Sequence, residues 1–153
     1  MLGLFKRKEV DYFSAEEKQL IVQAIQKAEQ RTSGEVRIYV EKHCRFVDPV
    51  MRAKEIFVLL KMTETADRNG VLVYVAMKDK QLAIYGDEGI HNKVGSAFWN
   101  AEVKKMLQQF NKHNYAEGIA QIITEIGEAL LTHFPYDGKV DKNELPDDIV
   151  FGR

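Results

Sequence analysis

The chain has 153 residues, a formal net charge of −1, and is 45% hydrophobic and 29% charged. That length suits a single domain whose core is large enough to stand without disulfide or metal staples. The near-zero charge excludes a global field that would draw nucleic acid or an anionic membrane, and a single cysteine, Cys44, excludes an internal disulfide.

At the N-terminus, Met-Leu-Gly-Leu-Phe-Lys-Arg-Lys places the basic residues after a short apolar run, the reverse of a secretory signal. No later run approaches the roughly 18 apolar residues of a membrane span. A soluble cytoplasmic protein without an integral membrane segment is therefore expected. Ser14 with Glu17 three residues on is a capping box, and Phe13 before it suits a hydrophobic staple. Leu20, Ile21, Ala24, Ile25 and Ala28 then share a helical face, and Gly34 is expected to close the helix. Residues 35–41 alternate, with Val36, Ile38 and Val40 on one side and Arg37 and Tyr39 on the other. This predicts a half-covered or edge strand.

His43 and Arg45 flank Cys44 but would point to the face opposite it in an extended segment. Cys44 thus reads as a small apolar residue rather than an activated thiol. Asp48-Pro49 predicts a helix start, with Val50, Ala53, Phe57 and Leu60 as its apolar stripe. Residues 71–77 are continuously apolar, as in a central strand covered on both faces. Lys78-Asp79-Lys80 is a polar turn, and residues 81–85 return as the second arm of a hairpin closed by Gly86. A short helix is expected over 90–94, a second over 100–110, and a longer one over 115–134, stopped by Pro135. Residues 135–153 form an acidic tail expected to pack across a core of residues 10–134 through Leu145, Ile149 and Phe151.

This order of elements has a consequence for chemistry. A strand–helix–strand crossover makes the first two strands parallel, and the hairpin makes the third antiparallel to the second. Glu35, the Asp67-Arg68-Asn69 loop and the Asp87-Glu88 exit of the hairpin therefore converge on one rim of the sheet. Calcium takes roughly six to eight oxygen ligands from carboxylates, amides, carbonyls and water. An arginine beside such an ion would grip a phosphate in a bidentate fork. Asp-Arg-Asn-Gly and Gly-Asp-Glu-Gly are equally good turn sequences, so both readings stay open on the residues alone.

Four stretches carry a family likeness: 33–40 (Ser-Gly-Glu-Val-Arg-Ile-Tyr-Val), 67–75 (Asp-Arg-Asn-Gly-Val-Leu-Val-Tyr-Val), 83–90 (Ala-Ile-Tyr-Gly-Asp-Glu-Gly-Ile) and 115–119 (Tyr-Ala-Glu-Gly-Ile). On them the chain resembles the TPM-domain family, which includes a thylakoid-lumen phosphatase-like protein and many bacterial proteins. Its tail, Asn143-Glu-Leu-Pro-Asp-Asp148, is similar to that of the short, soluble branch. The resemblance implies a three-layer α/β/α sandwich with a small central mixed sheet of three or four strands. It also implies a divalent-cation site, calcium before magnesium or another divalent ion. Carried over by position, Asp67, Asn69, Asp87 and Glu88 are the implied ligands, with Glu35 added from the strand argument. Asp67 and Arg68 are the catalytic candidates if the protein is a phosphatase. Two departures stand out. Many members have a signal peptide and a membrane anchor, which are not expected here. The family's exit loop, Gly-Tyr-Gly-Leu-Glu-Gly, is shortened to Gly86-Asp-Glu-Gly89.

Other candidates carry less. The four histidines make no zinc spacing; His91 lies nearest the rim and reads as a solvated helix-start residue. Residues 137–148 are reminiscent of a calcium loop but fail the EF-hand pattern. Phe98 and Trp99 read as core. With no basic face interleaved with aromatics, nucleic acid is not an expected partner. No phosphate-binding glycine loop, nucleophile elbow or dinucleotide fingerprint is present. Two functions remain: a cation-binding module with an interaction or regulatory role, possessing a protein partner, and a metal-assisted phosphatase acting on phosphate monoesters.

Overall fold

Both halves of the capping box form at the first helix. The Ser14 Oγ accepts from the Glu17 N–H at 3.1 Å, and the Glu17 carboxylate accepts from the Ser14 N–H at 2.9 Å. The computed structural model describes residues 12–45, 48–136 and 148–152. Its elements are α1 (Ala15–Gln30), β1 (Glu35–Glu41), α2 (Pro49–Leu59), β2 (Gly70–Ala76), β3 (Gln81–Gly86), α3 (Glu88–Asn111), α4 (Tyr115–His133) and β4 (Ile149–Phe151). The strands form one mixed sheet in the order β3-β2-β1-β4. β1 is parallel to both β2 and β4, and β2 is antiparallel to β3.

β2 is buried along its whole length, as its unbroken apolar run requires. Its residues alternate between two cores. Val71, Val73 and Val75 join Val36, Ile38 and Val40 of β1 beneath α1, α3 and α4. Leu72, Tyr74 and Ala76 pack with Ala53, Ile56 and Phe57 of α2 on the other face. The architecture is the expected three-layer α/β/α sandwich, with three helices on one face and one on the other. Among the described residues no helix is long and apolar enough to cross a membrane.

Several expectations are corrected by packing. α1 ends at Gln30 with Arg31 as its C-cap, four residues before Gly34. Gly34 is instead a close-approach position: a Cβ there would meet Leu130 at 2.6 Å. Phe13 is buried in the three-helix core and faces the Phe151 ring at 6.5 Å, rather than stapling the helix to its own fourth residue, Lys18. β1 is neither half-covered nor an edge. β4 closes its free side, and Glu35, Arg37 and Glu41 are buried with the rest. Asp48 caps α2 through the Val50 N–H at 2.9 Å with Pro49 in the first turn. The buried stripe of α2 is nevertheless Ala53, Ile56 and Phe57, with Leu60 partly buried; Val50 is 45% exposed. The two expected helices at 90–94 and 100–110 are joined as α3, which begins at Glu88 and breaks only at Gly95 (φ 78°). A glycine tolerates that left-handed backbone, so the chain can bend there and resume its helix. Ile149 and Phe151 lie in β4, beside β1 and packed against the three-helix core, whereas Leu145 and most of the 137–148 stretch lie outside the described residues.

On the α2 face, Glu41 is the acceptor for a buried polar cluster. Arg52 forks it through Nε and Nη2, both at 2.9 Å, and the Tyr74 hydroxyl donates to the same carboxylate. Burial, together with that bond to Glu41, raises the Tyr74 hydroxyl above its usual range. This cluster holds α2 to β1 and β2 at the end of the sheet opposite the acidic rim.

Candidate functional site

Strand register assembles the rim. Glu35 pairs with Gly70 across β1 and β2, and Val71 pairs with Gly86 across β2 and β3. Residues 33–35, the loop 67–69 and the start of α3 are thereby neighbours. The Asp87 N–H donates to the Gly70 carbonyl at 2.9 Å, and the Glu35 N–H to that of Asn69 at 3.4 Å. Gly89 seals the junction, its N–H donating to the Arg68 carbonyl at 2.8 Å. A Cβ on Gly89 would lie 2.1 Å from the Asp67 carbonyl oxygen, so only glycine admits the loop this closely. Arg68 itself has φ 52°, a left-handed turn position. Turn chemistry is therefore present in the backbone, whatever the side chains bind.

The side chains divide into two groups. In the first, Arg68 forks Asp87 through Nε (2.6 Å) and Nη2 (2.8 Å), and its Nη1 reaches Glu88 at 3.2 Å. The bond to Asp87 holds the guanidinium above its usual range. Asp87 is also the N-cap of α3, accepting from the Glu88 N–H at 2.8 Å, where a carboxylate complements the helix dipole. Nothing in the local sequence distinguishes this cap from a turn acid, which is why the helix was expected to begin later.

In the second group, the Asn69 amide donates to the Ser33 Oγ at 3.1 Å, and that hydroxyl donates to Asp67 at 3.2 Å. The carboxylate end sets the direction of this chain, since it can only accept. Asn69 Oδ1 is left over. It is buried and has no hydrogen-bond partner among the described residues. Such an atom costs about 1–3 kcal/mol when it stays unsatisfied. Ser33 was not singled out in the sequence. A hydroxyl two residues before a strand has no signature of its own.

Four of the five residues proposed as ligands are thus brought to the rim as two pairs, Asp67 with Asn69 and Asp87 with Glu88. Glu35 differs. Val36 faces the three-helix core, so alternation places the Glu35 side chain on the α2 face. Among the described residues, no group of three or more His, Cys, Asp or Glu side chains is drawn together closely enough to hold a metal ion.

A groove of about 360 Å³ opens beside the first group, lined by Arg68, Tyr85, Asp87, His91, Trp99 and Asn100 among others. Trp99 is buried, as expected, but its indole N–H donates to His91 Nδ1 at 3.1 Å. A Cβ on Gly86 would meet the Trp99 ring at 2.4 Å, so the glycine ending β3 makes room for the indole. His91 is therefore a partly buried, oriented ring rather than a solvated helix-start residue.

Comparison with known proteins bears on the fold and the family. The TPM domain matches residues 7–129. The NMR structure of the BA42 protein from the psychrophilic bacterium Bizionia argentinensis is similar at 40% identity, over 95% of this chain and 99% of that one, with a TM-score of 0.84. The N-terminal domain of the cg2496 protein from Corynebacterium glutamicum shares the fold at 16% identity, over 78% of this chain and 74% of that one, with a TM-score of 0.59. No curated protein matches the chain.

Proposed function

The chain belongs to the TPM-domain family, and from that premise we propose that it binds a divalent cation, calcium before magnesium, at the acidic rim and serves an interaction or regulatory role. The observation that carries the reading is Asn69 Oδ1, a buried amide oxygen without a hydrogen-bond partner among the described residues, on a side chain linked through Ser33 to the exposed carboxylate of Asp67. Hard cations take such oxygens, together with backbone carbonyls and water. Asp67 and Asn69 would hold the ion, with the exposed Glu88 as a further carboxylate. Asp87 fits only if the Arg68 fork opens, because both of its oxygens are engaged. Glu35 fits less well, standing on the α2 face.

Calcium titration of the whole chain, followed by amide chemical shifts, tests the proposal. Saturable shifts are expected at residues 67–70 and 88, weakened by Asp67→Asn. Shifts confined to the 78–80 turn or to the tail would sink it.

One observation favours the second reading, a metal-assisted phosphatase acting on phosphate monoesters. Arg68 keeps part of its guanidinium open, with 41% of its side chain exposed. Activity that survives both Asp67→Asn and Arg68→Ala would mark a contaminant rather than this protein.

A further inference from the structure

We propose that the groove beside the rim binds a small organic carboxylate with an apolar body, an aromatic acid in the first instance, and that it does so without a metal. At about 360 Å³, the space lies within the roughly 300–1,000 Å³ range of small-molecule pockets. Its walls are mixed in the way such pockets require. Val50, Ile84 and Tyr85 supply apolar surface. Val50 is the residue of the expected α2 stripe that the core does not use.

The polar lining is rich in donors. An indole N–H can only donate, so Trp99 obliges His91 Nδ1 to accept. In the neutral imidazole the ring proton is then on Nε2, and His91 presents a donor rather than a lone pair. Arg68 carries five N–H donors, of which three bond Asp87 and Glu88. The remaining two, one on each Nη, have no partner among the described residues. A carboxylate can accept from such charged donors. Ser96 and Asn100, just past the break at Gly95, add a hydroxyl and an amide.

Charge selects between oxyanions. Asp87 and Glu88 stand against the single charge of Arg68, leaving the cluster with one excess negative charge. A phosphate monoester would add nearly two more, at about −1.5 to −2; a carboxylate adds one. The carboxylate is therefore the better-matched acceptor, and it goes beyond the cation reading because it needs no ion at the neighbouring Asp67–Asn69 pair.

The test uses the whole chain in a calcium chelator, with phenylacetate and inorganic phosphate as probes and amide and indole N–H shifts as the readout. Phenylacetate should give saturable shifts centred on the Trp99 indole, His91 and Gly86, and phosphate should bind more weakly. His91→Ala should weaken phenylacetate about fivefold, the equivalent of one hydrogen bond. Val50→Asp, at an exposed position in the first turn of α2, should weaken it by at least as much without lowering the unfolding midpoint. The proposal is overturned if the shifts fail to saturate, if they centre instead on a second groove, lined by Ala24, Arg31, Gly127 and Glu128 between α1 and α4, if phosphate binds as well as phenylacetate, or if neither variant weakens binding. The chelator separates this outcome from the calcium titration, so either proposal can fail while the other stands.

Discussion

Two arginine–carboxylate forks stand at opposite ends of the same sheet. Arg52 holds Glu41 with two bonds of 2.9 Å, and Arg68 holds Asp87 with bonds of 2.6 and 2.8 Å. Both carboxylates are almost wholly buried. The surroundings differ. At Glu41, the Tyr74 hydroxyl completes the carboxylate and Tyr39 and α2 cover the arginine, whose side chain is 20% exposed. At Asp87 the arginine is twice as exposed, at 41%. A groove adjoins it, and Asn69 of the same loop carries a buried acceptor without a hydrogen bond among the described residues. The same ion pair is thus a fastener in one place and part of a binding edge in the other. What separates them is the donors and acceptors left over.

The largest expected effect tests the fastener. Arg52→Leu strips the main partner from a buried carboxylate, and breaking a buried pair from one side costs about 3–5 kcal/mol. Urea unfolding should show a loss near the lower end, since Tyr74 remains bonded to Glu41. A loss no greater than that of Arg68→Leu would erase the distinction between the two ends.

A buried acid without a complementary fork gives the next effect. Glu102 of α3 faces Glu125 of α4 beside Lys105, and its Oε2 has no hydrogen-bond partner among the described residues. Burial, reinforced by the Glu125 charge, pushes its carboxyl up to about 7 against an ordinary 4.5. Below the ordinary value it is protonated in both states. Between that value and about 7 the native state holds the extra proton, so stability falls as pH rises through this window and levels off above it. The fall should be at most about 3.5 kcal/mol, a tenfold change in proton affinity being worth about 1.4 kcal/mol. Glu102→Gln should flatten the profile between pH 4.5 and 7 in urea unfolding; an unchanged slope would place the proton elsewhere.

Gly89→Ala tests how tightly the rim loop is held. The added methyl would meet the Asp67 and Arg68 carbonyls at 2.1 and 2.6 Å, and overpacking of this kind costs about 1–3 kcal/mol. Thermal unfolding measures the cost, and amide shifts at residues 67–70 should report the displaced loop. The smallest effect on stability belongs to Arg68→Ala, because the arginine is 41% exposed, its removal opens Asp87 to solvent, and Asp87 keeps its cap on α3. Its effect on ligand binding is the sharper one. Calcium affinity should rise, since Asp87 and Glu88 are freed, whereas phenylacetate binding should weaken. Calorimetric titration of both ligands reads the opposite signs directly. Parallel losses would mean that the rim and the groove are one site.

Locally encoded features were legible in the chain. The Ser14–Glu17 box, the Asp48-Pro49 start of α2 and the apolar run of β2 each depend on residues within a few positions of one another. The convergence of Asp67, Asn69, Asp87 and Glu88 on one rim also followed, because a crossover and a hairpin fix which strand ends meet. Gly34 and Val50 were misread for a common reason: their role depends on which distant side chain arrives, Leu130 in one case and the core's choice of Ile56 in the other.

What the sequence by itself determined is therefore the order and directions of the first three strands and the gathering of acids at one end; the sandwich followed from the family resemblance. The tertiary structure decided how those acids are spent. Arg68 takes Asp87, nineteen positions along the chain, because Gly89 lets the loop lie on the helix start. Trp99 reaches His91 across the bend at Gly95 because Gly86 leaves space for its ring. Hydrogen bonds of this kind are set by distances of tenths of an ångström between elements, and periodicity along a chain carries no such distances. It also could not tell that, of two similar forks, one would be covered and the other left at a groove.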